Sequence, residues 1–179
     1  NAAVLLGQVA LRHGDRVGLL AFDRGVRVWL PPQGGRRTAG RLIRATYDLE
    51  PTLEEPDYAA AFRHLQHHVK RRSLVVLLTA VADTVNAELA TSLVQALRSR
   101  HLALSVWMRD TEVDALVDGP AADDEGRYVR AAAAELVAWR EKALAGLRQR
   151  GALVLDVPSG GLTRGLLDGY LEVKARRLL

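Results

Sequence analysis

The chain has 179 residues, 49% of them hydrophobic and 26% charged, with a net charge of +4. That length and balance support one domain with a real core. The absence of cysteine excludes a disulfide scaffold and a thiolate metal site. No run approaches the roughly 20 apolar residues of a membrane span, no secretory signal pattern is visible, and 21 acids interspersed with 25 bases argue against a nucleic-acid surface.

The chain opens inside a helical pattern, Val4, Leu5, Val9 and Leu11, with no capping residue before it. The reading is therefore of a fragment whose beginning is missing. The helix runs from Asn1 to His13 and is closed by Gly14. Arg16–Phe22 reads as a buried strand. Asp23-Arg24-Gly25 is a tight turn, and Val26–Leu30 alternates like a half-exposed edge strand that Pro31 and Pro32 end. Gln33–Thr38 is a polar loop before a helix carrying Leu42, Ile43 and Leu49. After the loop Glu50–Pro56, Asp57 is a good N-cap for a helix with Tyr58, Ala61, Phe62, Leu65 and Val69 on one face.

Ser73–Thr79 holds five consecutive apolar residues between polar flanks. A run so short and so rich in Val and Leu predicts a strand buried on both faces, in the middle of a mostly parallel sheet. Ligands of such sheets sit at the carboxyl ends of the strands, here Thr79 to Thr84. A helix over 86–100 and a strand within 101–108 follow. Residues 110–126 are acidic and irregular, with at most a helical turn at 113–117. A long helix spans 127–149, a last strand 152–157, and a closing helix 159–179, with Ser159 as its cap. The whole is a single α/β three-layer sandwich whose mostly parallel sheet has one antiparallel edge strand.

Four blocks carry a resemblance: Gly14–Phe22, Glu55–Phe62, Arg71–Thr79 and Tyr170–Arg176. In them the chain resembles the bacterial domain-of-unknown-function family fifty-eight, along essentially its whole length. The resemblance implies a von Willebrand factor A-like domain whose first strand lies before Asn1. It implies a parent with two membrane helices ahead of a cytoplasmic domain, and action beside a MoxR-type AAA+ ATPase in the assembly or maturation of protein complexes. It also implies a metal-ion-dependent adhesion site for Mg²⁺ or Mn²⁺. Here the sequence departs from the pattern. Pro56 stands at the threonine position and Ala80 at the aspartate position, so what remains is a remnant of Asp57, Thr79 and Asp83, and no bound cofactor is expected. The same loops, with Asp57, Tyr58, Thr79 and Asp83, form the expected surface for a protein partner.

Other candidates read as ordinary structure. His64 and His68 share a helix face as in zinc-binding helices, but no Glu or Cys completes a site and solvated histidines are expected. Gln33–Gly40 lacks the Lys-Ser/Thr of a phosphate loop. Trp29 is either an exposed partner contact or half-buried against a helix. No nucleophile accompanies the acids of 110–125. The alternative to an interaction module is a metal-assisted hydrolase working through the carboxylates at the sheet edge.

Overall fold

The computed structural model describes residues 2–79, 84–121 and 123–179. Its elements are α1 (Ala2–Arg12), β1 (Val17–Phe22), β2 (Val26–Gln33), α2 (Arg36–Tyr47), α3 (Tyr58–His68), β3 (Leu74–Thr79), α4 (Thr84–Leu97), β4 (Leu102–Arg109), α5 (Thr111–Asp118), α6 (Asp124–Gln149), β5 (Leu153–Pro158), a 3₁₀ turn (Ser159–Gly161) and α7 (Leu162–Ala175). Each segment that alternates or repeats in the sequence becomes the element its period requires.

The described strands form two sheets rather than the single mixed sheet expected. β3, β4 and β5 are parallel, in that order, and β1 pairs antiparallel with β2 alone. The run around Val75–Leu78 is therefore not central. It has β4 on one side and no ladder partner on the other among the described residues. The central strand is β4, with Ala103, Leu104, Ser105, Val106 and Trp107 all buried.

Alternation along β4 divides the core. Ala103 and Trp107 point to one face, where Tyr58, Phe62, Val94, Leu97, Leu144 and Leu147 bring in α3, α4 and α6. Leu104 and Val106 point to the other, against Ala2, Leu6, Leu162 and Leu166 of α1 and α7. The three layers are thus two helical layers around a three-stranded sheet, as parallel sheets require. The β1–β2 hairpin joins this body through α3. Phe22 meets the Tyr58 ring edge-on at 5.4 Å, and the Asp57 amide donates to the Asp23 carbonyl at 2.7 Å.

Three local expectations change. β2 runs on through Pro31 and Pro32 to Gln33. A strand paired on only one side can spare two N–H donors, and Gly18 opposite lets Pro32 approach: a Cβ there would lie 2.8 Å from the Leu30 carbonyl oxygen and 3.1 Å from the Pro32 nitrogen. Residues 111–118 form a real helix, because Asp110 accepts from the Glu112 amide at its start. Ser159 makes no side-chain cap; it opens the 3₁₀ turn instead.

Two ends of the chain are tied together at Asp15. Its carboxylate accepts from the Tyr170 hydroxyl at 2.6 Å and from Lys174 Nζ at 2.8 Å. Burial works to raise the Asp15 pKa, but the Lys174 and Tyr170 hydrogen bonds and the Lys174 charge outweigh it and hold it below the ordinary 3.8. Burial first, and Asp15 second, push the Tyr170 phenol well above its usual range, so its proton stays in the bond. Because the folded state lowers the Asp15 pKa, its contribution is present above 3.8 and is lost as the pH falls through and below that value. Tyr170→Phe should cost about 1–2 kcal/mol in urea unfolding at neutral pH, as for a hydrogen bond to a charged acceptor that keeps a second partner. The stability gap between wild type and Asp15→Asn should narrow on acidification. A gap that widens at low pH would refute this assignment.

Candidate functional site

The carboxyl ends of β3, β4 and β5 are where a parallel sheet offers its loops. Asp57 lies at this rim because α3 begins there. Its Oδ1 accepts from the Ala60 amide at 2.8 Å, an N-cap as the sequence implies. The next residue, Tyr58, is buried, and its hydroxyl lies 2.7 Å from the buried Thr79 hydroxyl. The structure thus brings Tyr58 and Thr79 together, with Asp57 one residue away in the chain. Asp83 lies outside the described residues.

Thr79 begins a row across the sheet that the sequence reading did not reach. It stands opposite Trp107 on β4, which stands opposite Asp156 on β5. Trp107 is fully buried and its indole N–H donates to the Ser105 hydroxyl at 2.9 Å. Asp156 accepts from Arg140 of α6 at 2.6 Å, and the guanidinium lies 5.7 Å from the centre of the Trp107 ring. The Arg140 side chain is only 11% exposed, so the pair holds a cation that would otherwise be stranded. One signal was available: Asp156 is the single charge inside an apolar strand, and such a carboxylate needs a partner. The partner itself, Arg140, is 16 residues upstream on the longest helix, where nothing in the local pattern marks it.

The acids of the loops around 110–126 serve local structure. Asp110 caps α5, Asp123 accepts from the Gly126 amide to cap α6, and Asp114 pairs with Arg109. Nearer Asp57, a cleft of about 270 Å³ lies between the β1–β2 turn and the loop 49–56, edged by Asp23, Arg27, Glu50, Thr52 and Glu54. Arg27 spans it, donating to the Glu50 carbonyl and pairing with Asp23, while Arg24 pairs with Glu54. Leu53, between these groups, is fully exposed.

The histidines of α3 do not all face solvent. His67 and His68 are exposed, but His64 is half-buried and meets the half-buried Trp29 of β2 edge-on at 5.0 Å. Of the two readings of Trp29, half-burial against a helix is the one found. Among the described residues, no group of three or more His, Asp or Glu gathers as it would around a metal ion, and no helix is long and apolar enough to cross a membrane.

Fold and rim together define an α/β domain with a parallel sheet between two helical layers. Within that class, the family model described as "Protein of unknown function DUF58" matches residues 1–126, and the chain belongs to that family. Three of the four blocks of resemblance lie inside the match; Tyr170–Arg176 lies beyond it. No curated protein and no solved structure matches the chain.

At the rim, Tyr58→Phe should cost about 1–3 kcal/mol, because it leaves the Thr79 hydroxyl buried without its partner. Asp57→Ala should cost about 1 kcal/mol, as the loss of an N-cap does. Thermal or urea unfolding reads both, and wild-type stability in Tyr58→Phe would show that the hydroxyl pair carries nothing.

Proposed function

We propose that this chain is a non-enzymatic protein-interaction domain that uses the rim around Asp57, Tyr58, Thr79 and the loop 49–56. The observation that carries this is the division of labour at the rim. The polar side chains are committed to one another and to the backbone, as Asp57 is to Ala60, Tyr58 to Thr79 and Arg140 to Asp156. The adjoining loop, in contrast, holds Leu53 fully in solvent among Glu50, Glu54 and Glu55. Catalysis needs a base or nucleophile free to meet a substrate. An apolar side chain ringed by charge is suited to a partner's pocket. The partner we assign is a MoxR-type AAA+ ATPase or its client, in the assembly or maturation of protein complexes, with the domain on the cytoplasmic side of a membrane-anchored parent.

The finer fold we assign is that of a von Willebrand factor A-like domain. Its support is the open edge of β3: its neighbour β4 is the most buried strand, yet its other side has no ladder partner among the described residues. Unpaired backbone groups in an apolar setting demand a partner. A strand laid against that edge would satisfy them.

Two measurements test these readings. Co-precipitation with a MoxR-type ATPase should enrich this domain over an unrelated control, and Leu53→Asp should abolish the enrichment while the fold is kept. No enrichment would sink the partner assignment, and metal-dependent turnover in a hydrolase screen, lost with Asp57→Ala, would replace it with the hydrolase. In hydrogen exchange, amides of Val75–Leu78 should gain protection when a longer chain or a bound partner supplies the strand. Unchanged exchange in the longer chain and in the complex would refute the strand insertion.

A further inference from the structure

Charges of both signs mix along most of the chain, but two segments carry one sign only. Residues 24–47 hold six arginines and no acid, and residues 110–125 hold seven acids and no base. The first segment ends in α2, which packs on α1 and β2. The second holds α5 and the start of α6, which pack on each other. α1 lies against the Leu104 face of the sheet and α6 against the Trp107 face. In one copy the two segments therefore belong to opposite helical layers.

α2 begins against its own dipole. Its N-cap is Gly35 with no side-chain cap, and Arg36 and Arg37 stand in its first turn where no acid does. A helix N-terminus favours anions over cations. Where a local rule is broken with no local gain, the residues serve something else. Arg24, Arg27 and Arg41 are held by Glu54, Asp23 and Gln33. Arg36, Arg37 and Arg44 are exposed and make no ion pair among the described residues. At 3.6 residues per turn, Arg36, Gly40, Ile43, Arg44 and Tyr47 share the face opposite the buried Thr38 and Leu42. Arg44 reaches back over Gly40, where a Cβ would lie 4.0 Å from its terminal nitrogen. Ile43 is exposed beside it, and Tyr47 is 85% exposed.

The acidic segment divides in the same way. Asp110 and Asp123 cap helices, and Asp114 and Asp124 pair with Arg109 and Arg127. Glu112, Asp118 and Glu125 are exposed and make no ion pair among the described residues. Glu112 shares a face of α5 with the exposed Leu116, four residues on. Glu125 shares a face of α6 with Tyr128, three residues on and 78% exposed. Each segment thus sets charge of one sign beside an aliphatic side chain and a tyrosine ring held in solvent.

We propose that the arginine face of α2 docks on the acidic α5–α6 face of a second copy of this chain, head to tail. A second copy fits because it presents the opposite charge and a matching apolar pair. Guanidinium groups take carboxylates in paired hydrogen bonds, and the tyrosines with Ile43 and Leu116 supply the apolar contact. The two faces differ, so the contact is heterologous: each pair of copies keeps one face of each kind unused, and further copies add until a ring closes or an open row grows. The inference does not rest on the partner assigned to the rim.

Sedimentation velocity of the whole chain over a range of concentrations tests the proposal. At about 0.05 M salt the chain should associate reversibly, and at about 1 M salt, where the screening length falls to about 3 Å, association should weaken at least about tenfold. Arg36→Glu/Arg37→Glu and Glu112→Lys/Glu125→Lys should each stay monomeric alone. An equal mixture of the two should associate again, because each reversed face then meets its complement on the other variant. The arginine reversal places acids in the first turn of α2, where they suit the dipole. Its melting temperature should therefore hold or rise while association is lost, which residues serving only the fold would not show. Tyr47→Ser should weaken association about tenfold, as loss of an interface aromatic does. Where a reversal unfolds the chain, Arg36→Gln/Arg37→Gln and Glu112→Gln/Glu125→Gln give the same reading, each weakening association about tenfold. A wild type that stays monomeric at low salt, a mixture that does not associate, or association that survives either reversal overturns the proposal. So does a monomer that instead sediments with phosphatidylglycerol vesicles, which gives the α2 face to a lipid surface.

Discussion

The rest of the structure depends on the burial of β4. It is hydrogen-bonded on both sides and covered on both faces, so five consecutive side chains leave water together. Burial of that kind is the dominant favourable term in folding. It also forces the placement of everything else. Trp107 needs a wall of helices on one face, Leu104 and Val106 need α1 and α7 on the other, and β3 and β5 must supply the two backbone ladders.

Polar groups follow the same logic. Ser105 is wholly buried on the central strand, and the Trp107 indole is the partner that makes this tolerable. Thr79 has Tyr58, and Asp156 has Arg140. Along this row the Thr79 hydroxyl and the Asp156 carboxylate are answered from helices, by Tyr58 and Arg140, and Ser105 by Trp107 of its own strand. That arrangement stabilises the rim and leaves recognition to the loop beside it.

α3 links the parts of the molecule. Its N-cap Asp57 and first residue Tyr58 anchor the rim, its middle packs Ala61 and Phe62 into the core, and His64 and His68 towards its end stack beside Trp29 of the hairpin. The hairpin has no ladder to the main sheet among the described residues. Its docking on α3 therefore runs through the side-chain contacts of Phe22 on Tyr58 and Trp29 on His64, with a backbone bond from the Asp57 amide to the Asp23 carbonyl.

The sequence by itself determined the order and type of the elements other than α5, the Asp57 cap, the β1–β2 turn and the α/β class, because each depends on residues within a few positions of one another. Period, capping side chains and turn glycines are local physics. It also carried the family, through blocks such as Arg71–Thr79. Only the tertiary structure decided that β4 rather than β3 is central, since both read as apolar runs and burial depends on which strand has neighbours on both sides. It decided that Asp156 is answered by Arg140 and Asp15 by Tyr170 and Lys174, partners that the local pattern could not name. It also turned a pair of histidines expected in solvent into a stack against Trp29. These are pairings between distant segments, and the energy of such a pair depends on a separation in space that spacing along the chain does not encode.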